Sequence, residues 1–91
     1  MLEPYASHAL VNLKKARGQI DRLIDMTEKQ RYCMDLAQQC NAAIGLLQQA
    51  NLLILESHLH SCGANLSSKD AATREKFIKE ILRAWRVSSR K

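Results

Sequence analysis

The feature that most constrains this chain is a helical spacing of mainly apolar residues, with two cysteines and a histidine, that continues from residue 33 to residue 58. Steps of four and three residues alternate along it, as in the seam of a coiled coil. The α2 seam consists of Cys33, Ala37, Cys40, Ile44, Leu47, Asn51, Ile54 and His58. A helix over residues 30–62 that carries it is about 50 Å long, at 1.5 Å per residue. One shorter helix of the same chain cannot cover that length, so the pattern predicts association between chains.

Two further helices flank the seam helix in the predicted fold. The first covers residues 4–28, where Pro4 suits a first helical turn and leucines and isoleucines recur at helical spacing. The seam helix covers residues 30–62, and a break that begins at Gly63 separates it from a third helix over residues 70–86. One proline and 4% aromatic residues favour helices over sheets. We therefore predict an all-α chain of three helices whose 91 residues form one domain.

Size, charge and cysteine content narrow the function classes. A domain of 91 residues buries little surface, so a metal or a partner subunit is expected to stabilise it. The net charge of +5 favours polyanions, chiefly nucleic acid. Three cysteines, an odd number, fit metal or redox chemistry better than a disulfide framework. The sequence shows no nucleophile–base pair and no phosphate loop, so we predict that the protein is not an enzyme.

The hydropathy pattern predicts a cytoplasmic protein that does not enter a membrane. No apolar run approaches the roughly 20 residues that span a bilayer. The first residues lack the basic start and apolar stretch of a signal peptide. In the cytoplasm the cysteine thiols stay reduced and remain available as ligands.

Cys33, His58 and Cys62 are the candidate metal ligands. His58 and Cys62 are four residues apart, so their side chains share one helix face. Cys33 lies about 37 Å away along a continuous helix, which excludes coordination within one chain. Antiparallel pairing of two seam helices solves this, with a two-fold axis near Leu46 and Leu47 and two identical sites. Two thiolates and one imidazole suit soft Cu(I), so we predict one Cu(I) per chain at the subunit interface.

Simpler interpretations of these residues remain open at this point. A cysteine on a seam is often a small buried apolar residue, and a histidine near a helix C-terminus can complement the helix dipole. Cys40 is two turns from Cys33, too far for a disulfide or a shared metal, and is predicted to be a core cysteine. His8 and His60 are predicted to be solvated surface histidines.

Three stretches make the chain resemble the copper-sensitive operon repressor family, a group of small helical bacterial sensors. They are LKKARGQI at residues 13–20, RYCMD at residues 31–35 and HLHSC at residues 58–62. The resemblance implies an antiparallel four-helix-bundle dimer that pairs into a dimer of dimers, so the chain would be a homodimer or a homotetramer. It also implies a trigonal Cu(I) site, with Cys33 of one chain and His58 and Cys62 of another. The copper-free protein would repress transcription on operator DNA, and copper would release it.

Two further residues match the copper-sensing branch of the family. Tyr32 precedes the first cysteine ligand, and Glu80 occupies the place of a glutamate in the third helix. In the family these residues connect the ligand histidine to the rest of the fold by hydrogen bonds. The free ring nitrogen of a ligand histidine commonly donates to a carboxylate or carbonyl, which agrees with this role. The alternative for Glu80 is an ordinary solvent-facing charge.

The resemblance places DNA contacts in the first helix. The candidates are Lys14, Lys15, Arg17 and Gln19, whose cationic members can meet phosphates. The alternative is an ordinary solvated helix face. Two family arginines are replaced, by Asn12 in the first helix and by Leu52 in the second. The chain has no helix-turn-helix motif, so binding would depend on charge and DNA shape.

Three other functions compete with copper-responsive repression. A sensor of persulfides would link Cys33 and Cys62 across the interface, and it has no need of His58. A Ni(II) or Co(II) sensor would require more nitrogen ligands. The replacements at Asn12 and Leu52 are compatible with a copper-binding module that has lost DNA recognition. Replacing His58 separates a sulfur response, which should survive, from a copper response.

Overall fold

The computed structural model describes residues 1–62 and 69–89, without the side chains of Cys62 and of residues 87–89. These residues form three α-helices and no strand, which confirms the all-α fold class. The helices are α1 (Tyr5–Glu28), α2 (Cys33–Cys62) and α3 (Ala71–Ser89). The predicted break that begins at Gly63 lies outside the described residues.

The turn between α1 and α2 explains why α2 begins three residues later than the predicted start at residue 30. Gln30 has a φ of 52°, in the left-handed region that ends many helices. Its N–H donates to the Thr27 carbonyl at 3.0 Å, and the Arg31 N–H donates to the Met26 carbonyl at 3.0 Å. These two bonds form a Schellman motif, with glutamine in the position that glycine usually takes. The carbonyl of Tyr32 then accepts the first hydrogen bonds of α2.

Small residues at intervals of seven bring α1 and α2 together as an antiparallel pair. Ala9 and Ala16 are buried on α1, and Ala43 and Ala50 are buried on α2. The N–H of Leu2 donates to the Ser57 hydroxyl at 2.8 Å and fixes the register at one end of the pair. Seven residues forward on α1 match seven residues backward on α2, which puts Ala9 level with Ala50 and Ala16 level with Ala43. Alanine at each level allows the two helices to approach closely.

The close approach through alanine leaves the larger apolar side chains of α1 outside. An exposed stripe, here called the α1 stripe, consists of Leu10, Leu13, Ile20 and Ile24. The molecule measures 57 × 25 × 13 Å, and its smallest dimension is close to the diameter of a single helix with its side chains. Helices in one layer cannot enclose a core of leucine and isoleucine. The single chain therefore leaves the α1 stripe uncovered.

α3 begins directly after Asp70, whose side chain caps the helix, and it packs near the end of α2. Asp70 accepts hydrogen bonds from the Ala72 N–H at 3.1 Å and the Thr73 hydroxyl at 2.7 Å, which lower the pKa of its carboxyl. Phe77 is the residue of α3 that is buried most completely, at 3% exposure. Leu82 and Trp85 on the same helix are exposed. Within the described residues, no helix has the length and hydropathy that crossing a bilayer requires.

Candidate metal centre and nucleic-acid interface

α2 is continuous and separates the candidate ligands. Cys33 is the first residue of α2, and its thiol is free and exposed. His58 lies in the last two turns, about 37 Å away at 1.5 Å per residue. One chain therefore cannot bring the Cys33 thiol to the His58 imidazole.

His58, a residue of α2, is half-buried where α2 meets α3. Its ring lies 5.1 Å from the ring of Phe77, centroid to centroid, at an interplanar angle of 35°. The Nε2 atom is shielded from solvent and has no hydrogen-bond partner among the described residues. A buried ring nitrogen without a partner is costly. The unmet nitrogen fits a site that is completed by a metal or by a group from another chain.

Cys62 completes the candidate ligand set at the end of α2. Its backbone lies in the last helical turn, four residues after His58, and its side chain is outside the description. The described part of the chain contains no cluster of three side chains that could hold a metal ion. Two thiolates and one imidazole are nonetheless a donor set that Cu(I) prefers. The residues fit copper chemically, but the described residues of one chain do not assemble the site.

The α2 seam is an open surface in the single chain. Ile44 and Leu47, in the middle of α2, are 44% and 42% exposed. Ile54 is also exposed, and Asn51 and His58 are half-buried. Cys40 is exposed rather than buried, so the prediction of a core cysteine is wrong for the isolated chain. An apolar surface of this length is typical of a contact with another protein chain.

Neither Tyr32 nor Glu80 makes a hydrogen bond to the His58 Nε2 within the described residues. Tyr32 is 67% exposed at the start of α2, far from His58 along the helix axis. Glu80 is exposed on α3, beside an open groove that Lys76 and Arg83 also line. The aromatic ring of Phe77 packs against the His58 imidazole. The expected hydrogen-bond network around His58 stays a prediction.

The cationic candidates of α1 are on the surface. Lys14, Lys15 and Arg17 are exposed, with Arg17 lying within the α1 stripe. Gln19 is half-buried, because its position in the helical repeat turns it toward α2. The two residues that replace family arginines also differ in exposure: Asn12 is half-buried, and Leu52 is exposed. Three of the four predicted DNA contacts are therefore accessible to a phosphate backbone.

Four residues near His58 make contacts that the sequence did not reveal. Ser57 is 1% exposed and accepts the hydrogen bond from the Leu2 N–H. The ring of His60 stacks on that of Tyr5, with centroids 5.3 Å apart and an angle of 17°. His60 is thus exposed, as predicted, but it also packs on α1. The repeat of Ala43, Ala50 and Ser57 at intervals of seven is a sequence signal for the α1 contact.

Comparisons with known proteins show the family to which the chain belongs. A family model described as metal-sensitive transcriptional repressor matches residues 6–86. The copper-sensing transcriptional repressor CsoR of Mycobacterium ulcerans (strain Agy99) is 36% identical over 75 residues, which is 80% of this chain and 64% of that protein. The protein of the same name from Bacillus subtilis (strain 168) is 35% identical over 71 residues, 77% of this chain and 67% of that protein.

The match to the mycobacterial relatives covers only part of their length. CsoR of Mycobacterium tuberculosis (strain ATCC 25618 / H37Rv) is 39% identical over 54 residues, 59% of this chain and 45% of that protein. This chain thus spans less than two thirds of the length of both mycobacterial relatives. No solved structure gives a significant match. Because the family model covers most of the 91 residues, the chain belongs to the metal-sensitive transcriptional repressor family, which is a family of repressors rather than of enzymes.

Proposed function

We propose that this protein is a Cu(I)-responsive transcriptional repressor that binds operator DNA without copper and releases it when copper binds. Membership of the repressor family and the copper-sensing relatives support this proposal. The observation that carries it furthest is the α2 seam. It is largely exposed, with Cys33 at one end and, at the other, the His58 Nε2, which has no hydrogen-bond partner among the described residues.

The proposed metal site lies between two copies of the chain. An antiparallel pair of α2 helices brings Cys33 of one copy to the turn that bears His58 and Cys62 of the other. The same pairing covers Ile44 and Leu47, whose exposure is otherwise unexplained. The metal requirement and the apolar surface therefore call for one arrangement. It gives a homodimer with one Cu(I) per chain, and a pair of dimers would form a homotetramer.

The ligand types favour Cu(I) over other signals. Thiolates and imidazole are soft to intermediate ligands, whereas Ni(II) and Co(II) prefer more nitrogen and higher coordination. When bound, copper supplies strong bonds between the two chains. Thiolate ligands require a reducing compartment, and we place the protein in the cytoplasm for that reason. In the antiparallel pair, Tyr32 of the partner subunit comes to the same end as His58. It and Glu80 are proposed to accept or relay the hydrogen bond of the His58 ring nitrogen that does not bind metal.

The proposed DNA surface is the exposed side of α1 with Lys14, Lys15 and Arg17, and with Gln19 at its edge. Lysine and arginine neutralise phosphates and release counterions, so affinity should fall steeply with salt. Copper can weaken DNA binding only if it binds more tightly to a state that binds DNA poorly. In a dimer, two copies of α1 would contribute to one surface, which doubles the number of cations that face the DNA.

An anaerobic fluorescence-anisotropy titration tests the proposal. The probe is the DNA upstream of the protein's own gene, with and without one Cu(I) per chain. We expect binding by the copper-free protein and release on addition of copper. The His58→Ala variant should bind DNA but fail to respond, whereas His8→Ala, a change at an exposed histidine of α1, should respond normally.

Other results with the wild type and with two variants would contradict parts of the proposal. Copper binding with no DNA binding in either state, over several candidate operators, would contradict repression and favour a copper-binding module. A response to polysulfide that survives in His58→Ala would show a thiol sensor instead. Glu80→Ala is expected to keep copper affinity while losing regulation. A Glu80→Ala protein that releases DNA normally would exclude Glu80 from the relay.

A further inference from the structure

The last turns of α2 hold more than the candidate ligands. Within four consecutive residues, Ser57 binds the backbone before α1, His58 contacts α3, and His60 stacks on α1. Each contact reaches a different part of the fold. The turn that carries His58 is therefore a junction of all three helices.

We propose that Tyr5 and Ser57 are positioning residues that couple this junction to the DNA-binding helix α1. The N-terminal clasp is defined as two contacts, the Leu2–Ser57 hydrogen bond and the Tyr5–His60 ring stack. This inference rests on the proposed function, because it concerns how occupancy of the metal site is transmitted. It assigns a role to residues that the proposed metal site and DNA surface do not use.

The geometry of the clasp suits transmission of a small movement. Ser57 directly precedes His58, and His60 lies two residues beyond it, so any tilt of the turn changes both contacts. The Leu2 N–H reaches a serine that is 1% exposed, with a donor–acceptor distance of 2.8 Å. The bond is partly buried, and a hydrogen bond weakens as its donor–acceptor distance grows or its angle bends. The turn cannot move without pulling on the start of α1.

α1 then carries the movement to the cations. It is one uninterrupted helix from Tyr5 to Glu28, and Arg17 lies about 18 Å from Tyr5 along its axis. A helix moves as a rigid element over this distance, so a change in tilt at Tyr5 is felt at Lys14 and Arg17. The two sites are then coupled, because copper and DNA each stabilise a different arrangement of the same element, α1.

The Phe77 contact of His58 does not provide this connection. It joins the ligand turn to α3, and none of the proposed DNA contacts is on α3. The alanine contacts between α1 and α2 hold the two helices together without touching the ligand turn. The clasp is thus a direct link between the ligand turn and the start of α1.

The first arm of the test uses the whole chain without metal. Hydrogen exchange is measured for the amides of residues 57–61 in Tyr5→Ala, Tyr5→Phe and Leu10→Ala. Tyr5→Phe keeps the ring and should keep wild-type protection. Leu10→Ala removes an exposed side chain of α1 outside the clasp and serves as the matched control. Faster exchange in Tyr5→Ala alone is expected, and equal exchange in all three would overturn the clasp.

The second arm adds Cu(I) and separates affinity from coupling. Copper affinity is measured by competition with a chromophoric chelator, and the ratio of DNA affinities with and without copper is measured by anisotropy. In Tyr5→Ala and Ser57→Ala we expect copper affinity and copper-free DNA affinity close to the wild type, with the ratio reduced at least about fivefold. Tyr5→Phe should restore the wild-type ratio. A normal ratio in both alanine variants would make the clasp structural only and would overturn the inference.

The exchange measurement also distinguishes this inference from the proposed function. If copper binds the wild type without changing its DNA affinity, the repressor fails, and the affinity ratio no longer tests the clasp. The clasp then stands only if copper protects residues 5–9 of α1 in the wild type and not in Tyr5→Ala. If copper releases DNA equally from the wild type and Tyr5→Ala, the repressor stands and the clasp fails. If chelator competition shows that copper does not bind the wild type, that result alone refutes both the proposed function and the clasp.

Discussion

Mixing two inactive variants tests the inter-subunit metal site directly. Cys33→Ala and Cys62→Ala each remove one thiolate, so a homodimer of either variant has no complete site. In a mixed dimer, one site combines both deletions. The other combines Cys33 of the Cys62→Ala chain with the intact His58 and Cys62 of the Cys33→Ala chain. One complete site therefore returns, although neither chain can form it alone.

The expected recovery follows from the two-fold geometry. Random pairing of equal amounts gives half mixed dimers, each with one of two sites restored, or about 0.25 tight Cu(I) sites per chain. The variants are unfolded together, refolded under anaerobic and reducing conditions, and titrated with Cu(I) against a chelator. The separation of about 37 Å between Cys33 and His58 along α2 forbids recovery from a single chain.

A second pair of variants serves as the control. His58→Ala mixed with Cys62→Ala should recover no sites, because both deletions affect the same end of α2 and every site in the mixed dimer still lacks a ligand. Recovery in this control, or none in the first mixture, would refute the arrangement. Failure of both mixtures would show that Cys33 and Cys62 do not share a metal.

Three further predictions concern the fold that supports the site. Leu47→Asp removes two half-exposed leucines near the proposed two-fold axis and should weaken the dimer by about 2 kcal/mol, roughly thirtyfold. Sedimentation velocity should show the loss of dimer. The control, Gln49→Asp on the opposite side of α2, should still sediment as a dimer. Equal sedimentation of the two variants would exclude the α2 seam as the interface. Gln30→Gly should stabilise the chain by about 0.5–1 kcal/mol in urea unfolding, since glycine adopts positive φ without strain. Lys29→Gly, at a φ of −85°, should not stabilise it, and a matching gain there would contradict the strain argument. Hydrogen bonds lower the pKa of Asp70, so its contribution to the start of α3 is present at neutral pH and lost as pH falls through the depressed pKa. NMR of residues 71–74 should follow this loss, and an Asp70→Asn chain with the same pH response would assign it to another group.

The sequence alone determined the helices and one of their surfaces. Alternation of three and four residues along α2 identifies a face that includes Ile44 and Leu47, and the structure leaves that face exposed. The seam and the ligand spacing are both patterns of helical periodicity, and this periodicity can be recognised in a short stretch of sequence. The family resemblance rested on short motifs, and the family model confirms it. The roles of Cys33, His58 and Cys62 remain predictions.

Only the tertiary structure decided which face of α1 turns inward. The alanines and the α1 stripe of larger residues both recur at helical spacing, so periodicity alone does not choose between them. The register fixed by Leu2 and Ser57 puts alanine opposite alanine, and close contact of the backbones excludes larger side chains. The contacts of His58 with Phe77 and of His60 with Tyr5 arise in the same way. They join residues far apart in the chain, and no local pattern records which helices will lie side by side.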